Sequence, residues 1–281
     1  MNVTFFQYTP LWPQTLQAPF MKHAFLAGLL IAIAAGVMGY FTICRQSAFA
    51  AHALAHIGLP GATLAVLLDL PISIGMGAFA LGGGLAIGAL GKKASQREIA
   101  TGTVLAFATG LGFYFARMTS QATQQLQNIL FGSILTITED QLLGFAIFDL
   151  FLVLVISLIF HPLLFSSIDE QVARAKGVPI SLMNVLFMAL MAGVITVAVP
   201  AVGTLLIFAL VITPASTACM MTKSPFRVIV VSTFLCLVCI WLGLIVSTML
   251  NLPPSFVIVT FSTLLWLLTR LIFRAKELDF L

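Results

Sequence analysis

Two histidines stand four residues apart in Ala48-Phe49-Ala50-Ala51-His52-Ala53-Leu54-Ala55-His56-Ile57-Gly58-Leu59-Pro60-Gly61. On a helix that spacing puts both side chains on one face. The imidazoles of His52 and His56 then converge on one point, as paired helical histidines do when they hold zinc. A metalloprotease would need glutamate at position 53, where Ala53 stands, so the pattern fits binding or passage of a dication and disfavours hydrolysis. The competing reading is a pair of neutral histidines hydrogen-bonded to neighbouring helices. Gly58, Pro60 and Gly61 loosen the helix just beyond the pair, which suits a site that must open. Asp149 lies inside a long apolar run without an obvious partner in its own segment. It is a candidate second pathway group, or else a buried acid bonded to a neighbouring helix. His161 precedes Pro162 and reads as interfacial. Cys236 and Cys239 read as small buried hydrophobes. The nearest approach to a phosphate loop, Ala86 to Lys93, lacks its first glycine and the hydroxyl residue after Lys92, so there is no nucleotide site here.

Whatever these residues do, they do it in a membrane. Of the 281 residues, 60% are hydrophobic and 8% charged, far from the roughly 25% charged residues of a soluble domain. The formal net charge of +4 comes without any basic run, which argues against a nucleic-acid partner and leaves the lipid bilayer as the expected surrounding. Nine apolar stretches can be drawn, at about 24–43, 48–68, 70–91, 98–116, 142–165, 181–199, 201–221, 228–250 and 255–273. The seam at Pro200–Gly203 leaves eight as the alternative count. The predicted fold class is all-α and polytopic. An interfacial segment rich in aromatic rings occupies 1–19, a single transmembrane domain 20–275, and a cytoplasmic tail 276–281. With Arg45 on the inner side and the crossings alternating, only Lys22 and Arg117 of the 13 lysines and arginines fall outside. That bias places the amino terminus outside and the carboxyl terminus in the cytoplasm. Residues 118–137, first polar and then apolar but too short to span, read as a re-entrant or interfacial piece. Gly84-x-x-x-Gly88 reads as a helix-packing face.

The longest polar stretch on the inner side runs from Ser166 to Pro179. Ser167 is the expected cap of a short helix at about 167–177, with Asp169 and Glu170 in its first turn and Gly177 at its end. Asp169, Ala173 and Gly177 recur every four residues, which suggests a small-residue face on which a partner docks; a solvated loop is the plainer alternative.

Taken in order, these segments resemble the permease subunit of the zinc/manganese-type metal ABC importers. The resemblance rests on Gly36–Gln46, on Leu54-Ala55-His56-x-x-Leu59-Pro60-Gly61, on Leu130–Leu135 followed by Asp140, on Asp169–Pro179, and on Ala201–Leu206 leading to Ile212-Thr213-Pro214-Ala215. It spans about residues 20–275. It implies a homodimer in a bacterial inner or plasma membrane that works with a cytoplasmic ABC ATPase dimer and an extracytoplasmic metal-binding protein. No cofactor is bound permanently, and the chain is a transport subunit rather than an enzyme. Asp169, Glu170, Ala173 and Gly177 would then belong to a coupling helix seated on the ATPase. The family motif carries aspartate where His52 stands, so His56 corresponds directly and His52 by position. Imidazole suits zinc better than manganese, which prefers oxygen. Zinc is therefore the favoured cargo, with manganese and iron as alternatives. A gradient-driven secondary transporter or channel without an ATPase is the other class. The second half holds no counterpart of the histidine segment, as an inverted repeat would require.

Overall fold

A computed structural model describes residue 10 and residues 12–91, 94–118 and 132–278. Every regular element among them is helical. A short helix α1 (Trp12–Gln17) precedes α2 (Pro19–Cys44), α3 (Ala48–Leu67), α4 (Ile72–Leu90), α5 (Ala94–Ala116) and α6 (Glu139–Ile168). The six-residue α7 (Glu170–Ala175) leads to α8 (Ile180–Val202), α9 (Thr204–Met221), α10 (Pro225–Leu250) and α11 (Pro254–Leu278). Nine of the described helices are long and apolar enough to cross a membrane. The seam at Pro200–Gly203 is a true break: Gly203 adopts φ +83°, which ends α8 and starts α9 anew. The eight-crossing alternative thus gives way to nine. Residues 279–281 of the expected tail and most of the expected 1–19 and 118–137 segments lie outside the described residues, while α11 takes in 276–278. Inside them stand α1 and a single 3-10 turn at Ile134–Thr136.

The chain forms two compact units. One comprises Met1–Tyr40, Ser133–Ala146 and Ala209–Leu281. Within it Gly28 and Gly36 of α2 lie against Ile240 and Thr233 of α10. The Trp241 indole donates to the Phe25 carbonyl at 3.2 Å, and the Trp266 indole to the Ser216 hydroxyl at 3.2 Å. The other unit comprises Phe41–Gly132 and Ile147–Phe208, and it carries the functional residues. Its centre is the close crossing of α3 and α4. A Cβ on Gly61 would strike the Gly75 carbonyl, and one on Gly75 the Gly61 carbonyl. Bare backbones meet there, and dispersion and packing hold the helices together without a hydrophobic driving force in lipid. Gly84 and Gly88 of α4 rest on Met188 and Val185 of α8, so that glycine pair is a packing face. The α6 surface is different in kind: Leu143, Ile147, Leu150, Leu154 and Leu158 are all exposed on it.

Candidate metal pathway and coupling segment

His52 and His56 do share a face of α3. Their ring centroids are 4.7 Å apart, edge to face, and the His52 ring also packs 4.6 Å from that of Phe208 on α9. Both histidines are half-buried. The Nδ1 atom of His52 is buried and has no hydrogen-bond partner. A pair of satisfied core histidines would not leave that nitrogen idle. Counting from Ala48, His52 lies about 6 Å and His56 about 12 Å along a helix about 30 Å long. The pair therefore occupies the half of α3 nearer Arg45. Pro60 sits inside the helix. Having no N–H, it cannot make the helical bond to the His56 carbonyl four residues back. No group of three or more His, Cys, Asp or Glu side chains able to hold a metal occurs among the described residues.

Asp149 makes no contact with the two histidines among those described. It is 7% exposed, and its Oδ2 atom has no hydrogen-bond partner among the described residues. Cys236 and Cys239 are buried in α10 as packing residues. His161 is exposed on α6, its ring edge-on to Phe160.

The coupling segment differs in detail from its sequence reading. The preceding helix α6 continues to Ile168, so Ser167 belongs to its last turn and cannot cap α7. Asp169 is the cap: its carboxylate accepts from the N–H groups of Gln171 at 2.8 Å and Val172 at 3.0 Å. At the other end Gly177, at φ +80°, donates to the Arg174 carbonyl, and Val178 donates to that of Ala173. That is a Schellman closure. Ala173 itself is fully buried. The four-residue recurrence of Asp169, Ala173 and Gly177 is therefore a start, an anchor and a stop, with a buried Ala173 between two exposed ends. Exposed here are Ile168, Asp169, Gln171, Val172, Arg174, Ala175, Lys176 and Gly177.

One cluster was invisible as such in the sequence, where Arg45 counted only as a topological charge. Arg45 is 5% exposed. One terminal nitrogen donates to the hydroxyls of Ser166 at 3.0 Å and Ser167 at 3.2 Å, and the other to the Asn184 amide oxygen. Its guanidinium lies 5.1 Å from the centroid of the Phe187 ring. Arg97 of α5 donates to the Arg45 carbonyl at 2.6 Å, and the Ser47 hydroxyl does so at 3.1 Å. Burial, and then the nearby charge of Arg97, pull the Arg45 guanidinium down to about 10, with Glu170 acting the other way. Arg45 stays charged at neutral pH. An open cavity of about 240 Å³ borders this cluster and is lined by both arginines, both serines and Glu170. The detectable signal was an arginine directly after a spanning run, with Asn184 alone among apolar residues.

Comparison with known proteins agrees with this architecture. The model of the ABC 3 transport family matches residues 17–273. The manganese transport system membrane protein MntC of Halalkalibacterium halodurans is 32% identical over 223 residues, covering 79% of this chain and 75% of its own. The manganese import system permease protein ScaB of Streptococcus parasanguinis is 30% identical over 254 residues, 90% of each chain. Among solved structures, PsaBC from Streptococcus pneumoniae in complex with Fab superposes with a TM-score of 0.80 at 28% identity, over 92% of this chain and 94% of that one. With nine apolar spans and a match over nearly its whole length, the chain belongs to the ABC 3 transport family, as a multi-pass permease subunit of the metal ABC importers.

Proposed function

We propose that this chain carries a divalent transition metal through the membrane as one half of a homodimeric importer powered by a cytoplasmic ABC ATPase. An extracytoplasmic binding protein delivers the ion. The observation that carries the reading is the histidine pair: two rings one helical turn apart, with a buried nitrogen that nothing among the described residues satisfies. A second copy related by a two-fold axis would add the same pair. Four imidazoles would then face one ion as a tetrahedral nitrogen set, at the roughly 2.0–2.1 Å typical of zinc. So strong a site would trap its cargo, so the pairs act in passing, as a gate. Asp149 is a further pathway group in this reading, buried with an unsatisfied oxygen. Asp169–Gly177 seats on the ATPase through its exposed face.

Zinc is the favoured cargo because His52 supplies nitrogen where the family motif carries a carboxylate. Manganese is the second reading, favoured by the names of the relatives. Purified permease–ATPase complex in proteoliposomes separates the two. ATP-dependent zinc uptake that excess manganese does not suppress supports zinc, and the converse supports manganese. Uptake of either ion without ATP overturns the ATP-driven class in favour of a gradient-driven carrier. Imidazole binds metal only when unprotonated, so uptake falls as the pH drops through the ordinary histidine range. The amino terminus lies outside in this orientation. A cysteine placed at position 95 stays unlabelled by an impermeant reagent added to intact cells, and ready labelling reverses the topology.

A further inference from the structure

The buried arginine cluster has no part in the pathway described so far, yet it joins the two segments that the pathway needs. We infer that Arg45 is a positioning residue for transport, linking the coupling segment to the start of the histidine helix so that displacement of Asp169–Gly177 reaches His52 and His56. The inference rests on the proposed roles of those two segments.

Each link in the chain is short. Helix α7 begins one residue after its cap Asp169, which directly follows α6. Any push on α7 therefore acts first on Ser166 and Ser167 in the last turn of α6. Those two hydroxyls hold one terminal nitrogen of Arg45. The Arg45 carbonyl is in turn held by Arg97 and by the Ser47 hydroxyl. The Ser47 carbonyl accepts the Ala51 N–H at 3.0 Å, the residue before His52. Asn184 on α8 fixes the far side of the guanidinium.

The link is stiff for a physical reason. A guanidinium is a planar fork whose donors keep fixed relative directions. Both arginines are more than nine-tenths buried, and no ion pair holds either of them among the described residues. Letting go of the serines would strand a buried charge, which is strongly unfavourable. Glu170, in the first turn of α7, lines the cavity beside both guanidiniums. That carboxylate already acts on Arg45, and inward movement of α7 brings it closer to the two guanidiniums, so the attraction strengthens in the displaced position.

The test uses the permease–ATPase complex in proteoliposomes and reads metal ions carried per ATP hydrolysed, together with retention of the ATPase on the permease. Arg45→Lys keeps the charge and removes the fork; Asn184→Ala removes one acceptor and spares the arginine. Both variants are expected to retain the ATPase and to hydrolyse ATP, while ions carried per ATP fall about ten-fold. An unchanged ratio in the folded variants overturns the inference. Loss of the ATPase from Asn184→Ala also overturns it, because the cluster would then be shaping the seat of α7. A wild-type complex that hydrolyses ATP and moves no divalent ion refutes the proposed function and this inference with it.

Discussion

The arginine cluster and the histidine pair follow one another along the chain, and the fold treats them in different ways. Around Arg45 five hydrogen bonds run to two serines, an asparagine and the Arg45 carbonyl, although the buried Nε has no partner among the described residues. His52 and His56 have no such network. The rings touch each other and Phe208, and the buried His52 Nδ1 has no hydrogen-bond partner among the described residues. A buried polar group without a partner is destabilising, and each cluster carries one; what differs is how firmly the rest is tied. Hydrogen bonds fix the guanidinium, whereas ring contacts alone hold the imidazoles.

Stability measurements on variants break or sharpen that contrast. The largest loss is expected for Arg45→Met, which strands the buried Asn184 oxygen at about 1–3 kcal/mol and gives up the bonds to Ser166 and Ser167 and the contact with Phe187 besides; thermal unfolding of the purified permease reads it. A smaller loss of about 1–3 kcal/mol follows Ala173→Glu, since no space surrounds that fully buried methyl. Its companion Val172→Glu, at an exposed position, should leave the unfolding temperature unchanged and still release the ATPase. Equal stability of the two variants would show that α7 is not anchored through Ala173. Next comes His56→Ala, with a change under about 1 kcal/mol, because an unpartnered ring takes little with it. A loss as large as that of Arg45→Met would make the histidines structural. The smallest effect belongs to His52→Asp, which restores the carboxylate of the family motif. It should leave stability unchanged and move the uptake preference from zinc toward manganese, read by competition between the two ions.

Much of this was legible in the sequence, for reasons that differ by residue. The spans showed because each is an apolar run long enough to cross a bilayer, and Gly203 marked the one ambiguous seam by being a glycine next to Pro200. The histidine pair showed because four-residue spacing converts directly into a shared helix face. Their place along α3 showed too, since the apolar stretch drawn from position 48 begins where the helix does. The coupling segment was found but turned around: Asp169, Ala173 and Gly177 have the spacing of a face and the chemistry of a cap, an anchor and a stop. Nothing in a linear reading says that α6 runs on to Ile168 and takes Ser167 with it. The arginine cluster gathers residues far apart in the chain, from positions 45, 97, 166, 167 and 184. Only tertiary packing brings them together.

The central claim is that His52 and His56 lie on the path of the ion. Its most direct test is the initial rate of radioactive zinc uptake by proteoliposomes containing wild-type or His56→Ala permease with the same ATPase, at matched incorporation and matched ATP hydrolysis. The account predicts uptake by the wild type and none above the ATP-free background in His56→Ala, with dimer and ATPase retained. Zinc uptake by His56→Ala at the wild-type rate would contradict it.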